Sequence, residues 1–146
     1  MNKVAFSTSY SGNTPVYTAD ATTFISGATN NPTPTAASYV RWQRVGTFVC
    51  VEFKYIFATV PTTGAMSINL PVPINTNYVK PHSMFQMRYL TSGGVHIGWF
   101  NENSVSVVNL VASNTWGGTP ASLTNLFPNA MAVNDIITGT IFYETG

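Results

Sequence analysis

Two strand-like runs, Ser38 to Val45 and Thr47 to Ala58, stand on either side of a single Gly46. The second run places Val49, Val51, Phe53, Tyr55 and Phe57 on one face and Cys50, Glu52, Lys54 and Ile56 on the other. That is the period of two of a strand with one face buried, whereas a helix would scatter the five apolar residues around its circumference. Two such runs joined by so little chain can pair only antiparallel, because a parallel pair needs a long crossover. An antiparallel β-protein follows.

The rest of the chain reads the same way. Ala65 to Leu70 alternates between Pro61-Thr62-Thr63-Gly64 and Pro71-Val72-Pro73, which mark turns or strand ends. Ser83 to Leu90, Val95 to Asn101 and Ser104 to Ala112 predict a three-stranded meander, with polar or Gly-rich turns between them. Asn114 to Asn134 is expected to be a long loop with one helical turn around Ala121 to Leu126, and Ile136 to Glu144 a closing strand. Before the hairpin, the Thr/Ser/Asn-rich segment has short apolar islands at Val4 to Phe6, Val16-Tyr17 and Phe24-Ile25, expected to be at most short edge strands. A chain of 146 residues suits one core. The expectation is an all-β fold, an antiparallel β-sandwich or jelly roll of seven to nine strands in a single domain. Residues 1–37 form its N-terminal arm and residues 38–146 its body.

Composition narrows the functions. Charged residues are 8% of the chain, against about 25% in ordinary soluble domains, while hydrophobic residues reach 45% and aromatic residues 13%. Such a chain folds, with a surface of neutral polar groups. The net charge of +1 comes from scattered basic residues, so nucleic acid and anionic membranes are not expected partners. No apolar stretch of signal-peptide or membrane-span length occurs, so secretion through a cleaved signal is not expected. The single cysteine, Cys50, reads as a small half-buried residue rather than a redox group.

No catalytic, cofactor-binding or metal-ligating residue is assigned. His82 sits in a Lys-Pro-His loop and His96 on a strand, with no Gly-x-Ser-x-Gly elbow or other nucleophile motif to serve. The carboxylates Asp20, Glu52, Glu102, Asp135 and Glu144 are dispersed and read as surface or turn residues. One Cys and two distant His give no zinc spacing. Trp42 is expected to pack in the hairpin. Trp99 near Asn101 and Asn103, with Trp116 in a Gly-rich loop, could form a polar-aromatic contact site for a glycan or a partner.

The run from Asn31-Pro32 to Pro73 has a familiar order. Asn-Pro-Thr is followed by an aromatic residue and Arg before Arg44-Val45-Gly46, then by the alternating strand and Ser67-Ile68-Asn69-Leu70-Pro71-Val72-Pro73. This resembles a β-sandwich domain widespread in tailed-bacteriophage virion proteins, found in tail-fibre tips and in head decoration or head-fibre proteins. Gly139-Thr140-Ile141-Phe142-Tyr143 is similar to that family's final strand, whereas residues 75–132 carry no motif that aligns. The resemblance implies a non-enzymatic virion component without a cofactor, usually a homotrimer, assembled in the host cytoplasm. Its partners would be its own copies and the major capsid protein or other virion proteins. The chain opens at Met1 and enters the domain after a short arm, as expected of a self-contained capsid decoration (cement) protein. Val4, Phe6, Tyr10, Val16 and Tyr17 of the arm are candidates for capsid docking. The alternative is a receptor-binding tail-fibre tip that recognises a host surface glycan through Trp99, Asn101, Asn103 and Trp116.

Overall fold

The computed structural model describes residues 16–27, 29–75, 83–113 and 118–146. In chain order the elements are β1 (Tyr17–Ala19), α1 (Ala21–Phe24), β2 (Ile25–Gly27), β3 (Thr33–Pro34), β4 (Tyr39–Val45) and β5 (Phe48–Thr59). They continue with β6 (Met66–Asn69), β7 (Met84–Arg88), β8 (Val95–Glu102), β9 (Val107–Ala112), β10 (Ala121–Ser122) and β11 (Ile136–Glu144). Every strand pairing among the described residues is antiparallel. The chain is an all-β single domain.

The β4–β5 hairpin forms as the sequence predicts. Val45 opposes Phe48 across a two-residue turn, Gly46-Thr47, and Gly46 takes φ +61° at the first turn position, where only glycine is unstrained. Val49, Val51, Phe53, Tyr55 and Phe57 are all buried. The predicted meander is β7–β8–β9. It is joined to the hairpin by β11, which pairs with β5 from Ile136↔Ile56 to Glu144↔Phe48 and with β7 on its other side.

The expected sandwich is realised as one sheet that curls on itself, in the order β1-β4-β5-β11-β7-β8-β9-β6-β2. Its two terminal strands, β1 and β2, are neighbours in sequence, so the chain between them must bridge the two ends. That bridge is α1, capped by the Asp20 carboxylate, which accepts a hydrogen bond from the Thr22 amide at 2.8 Å. Its Phe24 is buried, with its ring 5.0 Å from that of Phe53. Phe53 in turn meets Phe100 at 6.3 Å, although β5 and β8 lie three strands apart, about 14 Å along a flat sheet. Side chains at that spacing meet only because the sheet is strongly curved.

Curvature needs small residues on the concave face, and one cross-strand row supplies them. Phe53 opposes Gly139, Gly139 opposes Phe85, Phe85 opposes Gly98, and Gly98 opposes Ala112. Large and small alternate, so each aromatic ring can lie over the bare backbone beside it. A Cβ on Gly139 would come within 2.9 Å of the Phe53 ring, and one on Gly98 would collide with the Phe85 ring and the Val111 carbonyl. These glycines are packing partners rather than weak points of their strands.

Two local expectations are corrected. Residues 121–126 contain no helical turn: β10 pairs with β9, and Thr124 forms a bridge with Ala65. The extended path lets the intervening Leu123 reach full burial, and the Thr124 Oγ then turns the chain by accepting from the Leu126 and Phe127 amides. The helical turn occurs instead at α1, which takes in Phe24 of the Phe24-Ile25 island, while Ile25 opens β2 as expected. The strand expected from Ser104 to Ala112 begins only at Val107: residues 104–106 form the turn into β9, where the Asn103 and Ser104 amides both donate to the Val107 carbonyl.

Three buried tyrosines make the fold sensitive to alkali. The Tyr55 hydroxyl donates to the Pro32 carbonyl at 2.8 Å and that of Tyr143 to the Val72 carbonyl at 2.9 Å. The Tyr89 hydroxyl lies near the Asn129 backbone amide without reaching hydrogen-bond geometry. Burial raises the pKa of all three above the usual 10.0, Tyr89 to about 12. The folded state therefore holds these protons more tightly than the unfolded chain does. Their contribution to stability is complete below pH 10 and is lost as the pH rises through the folded values. Near-UV circular dichroism and tyrosinate absorbance should change together in a cooperative step above pH 10. Full ionisation with native dichroism retained would contradict their burial.

Candidate functional site

Alternation on β7, β8 and β11 that buries one face leaves the other turned outward, and that outer face is unusually apolar. Met84 is 70% exposed and Phe142 57%, with Ile97 and Val95 more than half exposed. The register makes them one patch. Met84 opposes Trp99, Gln86 opposes Ile97 and Arg88 opposes Val95, while the Phe142 amide donates to the Ser83 Oγ beside Met84. Trp99 is half-buried between Met84 on β7 and Val111 on β9.

One step further along β8 the surface becomes polar. Asn101 opposes Asn109, Asn109 opposes Ser67, and Ser67 opposes Ser26, a row of neutral hydrogen-bonding side chains across four strands. Asn69 fixes the end of this row, its amide donating to the Ser26 Oγ at 2.7 Å and to the Thr23 carbonyl at 2.6 Å. Trp99 thus stands where the apolar patch meets the polar row.

The structure unites only part of the predicted site. Trp99 and Asn101 share the outer face, and Asn103 is exposed just beyond the end of β8. Trp116 lies outside the described residues. Of the arm, Val4, Phe6 and Tyr10 also lie outside them, while Val16 and Tyr17 are exposed at the β1 edge. Tyr17 stacks on Trp42 with ring centroids 4.6 Å apart, and Trp42 packs against the core, as expected for the hairpin. Sequence reading missed Met84, Ile97, Val95 and Phe142 as a surface. The signal lay in the apolar residues at the supposedly polar positions of those strands.

Of the titratable residues that the structure describes, His96, Asp20, Glu52 and Asp135 are each engaged in local contacts. No group of three His, Cys, Asp or Glu able to hold a metal occurs among the described residues. His82 lies outside them, and His96 packs edge-on against Tyr89, with its Nε2 3.2 Å from the Asn129 amide nitrogen. Asp20 caps α1, and Glu52 pairs with Arg41 at 3.0 Å. Asp135 holds a turn but is fully buried rather than on the surface, its carboxylate accepting from the Leu90 and Ala132 amides at 2.7 and 2.8 Å. Those two bonds satisfy the buried group. No helix among the described residues is long and apolar enough to cross a membrane. No protein-family model, curated protein or solved structure matches the chain.

Proposed function

We propose that this protein is a non-enzymatic structural component of a bacteriophage virion, a trimeric decoration protein on the outer surface of the head. The observation that carries the assembly half of this reading is the apolar patch of Met84, Trp99, Ile97 and Val95 on a regular sheet face. Contiguous exposed apolar surface of this kind is characteristic of interaction sites. A chain with 8% charged residues can bury such a face in a subunit contact while stripping water from few ions. The virion half rests on the resemblance of the segment from Asn31 to Pro73 and of the closing strand. A cyclic trimer would close the contact without leaving the patch open to unlimited association.

Size-exclusion chromatography with light scattering should return a trimer, and Met84→Lys with Ile97→Lys should convert it to folded monomer. A wild-type monomer would defeat the assembly reading. Stoichiometric binding of the trimer to expanded phage capsids would then favour decoration. The second reading, a receptor-binding fibre tip, is favoured by the position of Trp99 between an apolar patch and the Asn101–Asn109 row. It predicts glycan-array binding that is lost in Trp99→Ala.

A further inference from the structure

A second feature of the outer face lies away from Trp99, over β1, β4 and β5. A cleft of about 200 Å³ opens there, lined by Val16, Arg41, Trp42, Gln43, Cys50 and Glu52. The register explains it. Tyr17 opposes Trp42, so Val16 stands beside Gln43; Gln43 opposes Cys50, and Cys50 opposes Phe142. The short Cys50 side chain therefore sits between larger neighbours and leaves a depression. The Arg41–Glu52 pair occupies the next row, and the exposed rings of Phe48 and Phe142 stand on the far side.

The polar wall of the cleft is ordered and electrically balanced. Arg41 Nη2 donates to both Glu52 oxygens at 3.2 and 3.0 Å, and the Tyr39 hydroxyl donates to Glu52 Oε1 at 3.0 Å. The Arg41 guanidinium also lies 4.7 Å over the Tyr39 ring. These contacts hold the guanidinium in place while leaving its Nε and Nη1 donors, and the Gln43 side-chain amide, without a hydrogen-bond partner among the described residues. An anion here would compete with Glu52 and a cation with Arg41, so the lining selects against net charge. Planar donors and acceptors beside exposed aromatic rings instead match a ring that has hydroxyls at its edge and C–H groups on its face. The volume is below the roughly 300–1,000 Å³ of sites for drug-sized ligands, which limits the occupant to one such ring.

We propose that the Cys50 cleft binds a single neutral pyranose unit of a glycan. Phe142 borders both this cleft and the apolar patch, but Trp99 does not line the cleft and the reading does not depend on the virion one, so a monomer in light scattering would end that reading and leave this one standing. Cys50 is the only cysteine, which makes it a reporter of occupancy in the unaltered protein. Methyl glycosides of glucose, galactose, mannose and N-acetylglucosamine serve as probes, read by saturation-transfer NMR and by the rate of Cys50 alkylation with N-ethylmaleimide. At least one glycoside should show saturation transfer and slow the alkylation several-fold. Cys50→Phe, which fills the cleft from the outer face, should abolish the transfer, whereas Trp99→Ala should preserve it. The proposal is overturned if no probe protects Cys50, if transfer persists in Cys50→Phe, or if it vanishes in Trp99→Ala. Should Cys50→Phe fail to fold, the protection measured on wild-type protein decides the matter alone. A peptide that protects Cys50 when no glycoside does would identify the cleft as a protein contact and equally overturn it.

Discussion

Phe53→Asp is expected to abolish soluble folding, whereas Glu52→Gln, one residue away on the same strand, is expected to change stability by less than about 1 kcal/mol. Phe53 is 1% exposed and its ring meets both Phe24 and Phe100. Truncating such a ring costs about 3–5 kcal/mol through lost burial and the cavity left behind. A carboxylate in its place adds an unpaired ion in an apolar layer, worth several kcal/mol more after the structure relaxes. Together these approach the roughly 5–15 kcal/mol that holds a whole domain folded. Glu52 faces the other way, about half exposed and paired with Arg41, and Gln can still accept from the guanidinium and from the Tyr39 hydroxyl. Soluble yield and urea midpoints of the two variants test the assignment. Equal damage from both would mean that the faces of β5 are reversed.

Gly98→Val should destabilise the fold by about 3 kcal/mol, at or beyond the upper end of ordinary overpacking. The new Cβ would meet the Phe85 ring on one side and the Val111 carbonyl on the other. A flexible side chain could move aside, but the carbonyl belongs to the β9 backbone and moves only if the β8–β9 pairing opens. Displacing the Phe85 ring would transmit the strain to Gly139 and Phe53, the next members of the same row. Gly46→Ala is the informative comparison. Nothing lies within 4 Å of the added atom there, so only the positive φ is penalised, by about 1–2 kcal/mol. Urea unfolding should rank Gly98→Val well below Gly46→Ala. The reverse order would show that Phe85 does not lie over its neighbouring strand.

The outcome along β5 was legible because its cause is local. Successive side chains of a strand point to opposite faces, so alternation from Val49 to Phe57 names the buried face without any knowledge of the partners. The same holds for β11, whose bounds the sequence predicts from Ile136 to Glu144. Where the cause was not local, the reading failed. Four residues of α1 are too few to show a period, and that element exists because the curled sheet brings β1 and β2 to a common seam. Leu123 is extended because the core edge beside it needed covering, a demand set by distant strands.

Sequence alone therefore determined the antiparallel strands, the inward face of the hairpin and the low charge of the exterior, since all three are properties of neighbouring residues or of composition. Only the tertiary structure decided which outward residues would stand together. Met84 came to lie beside Trp99, and Cys50 between Gln43 and Phe142, through the cross-strand register of segments up to about ninety residues apart. Register is fixed by the joint packing of the whole curved core, including the Phe53–Gly139–Phe85–Gly98 row, and no single strand contains that information.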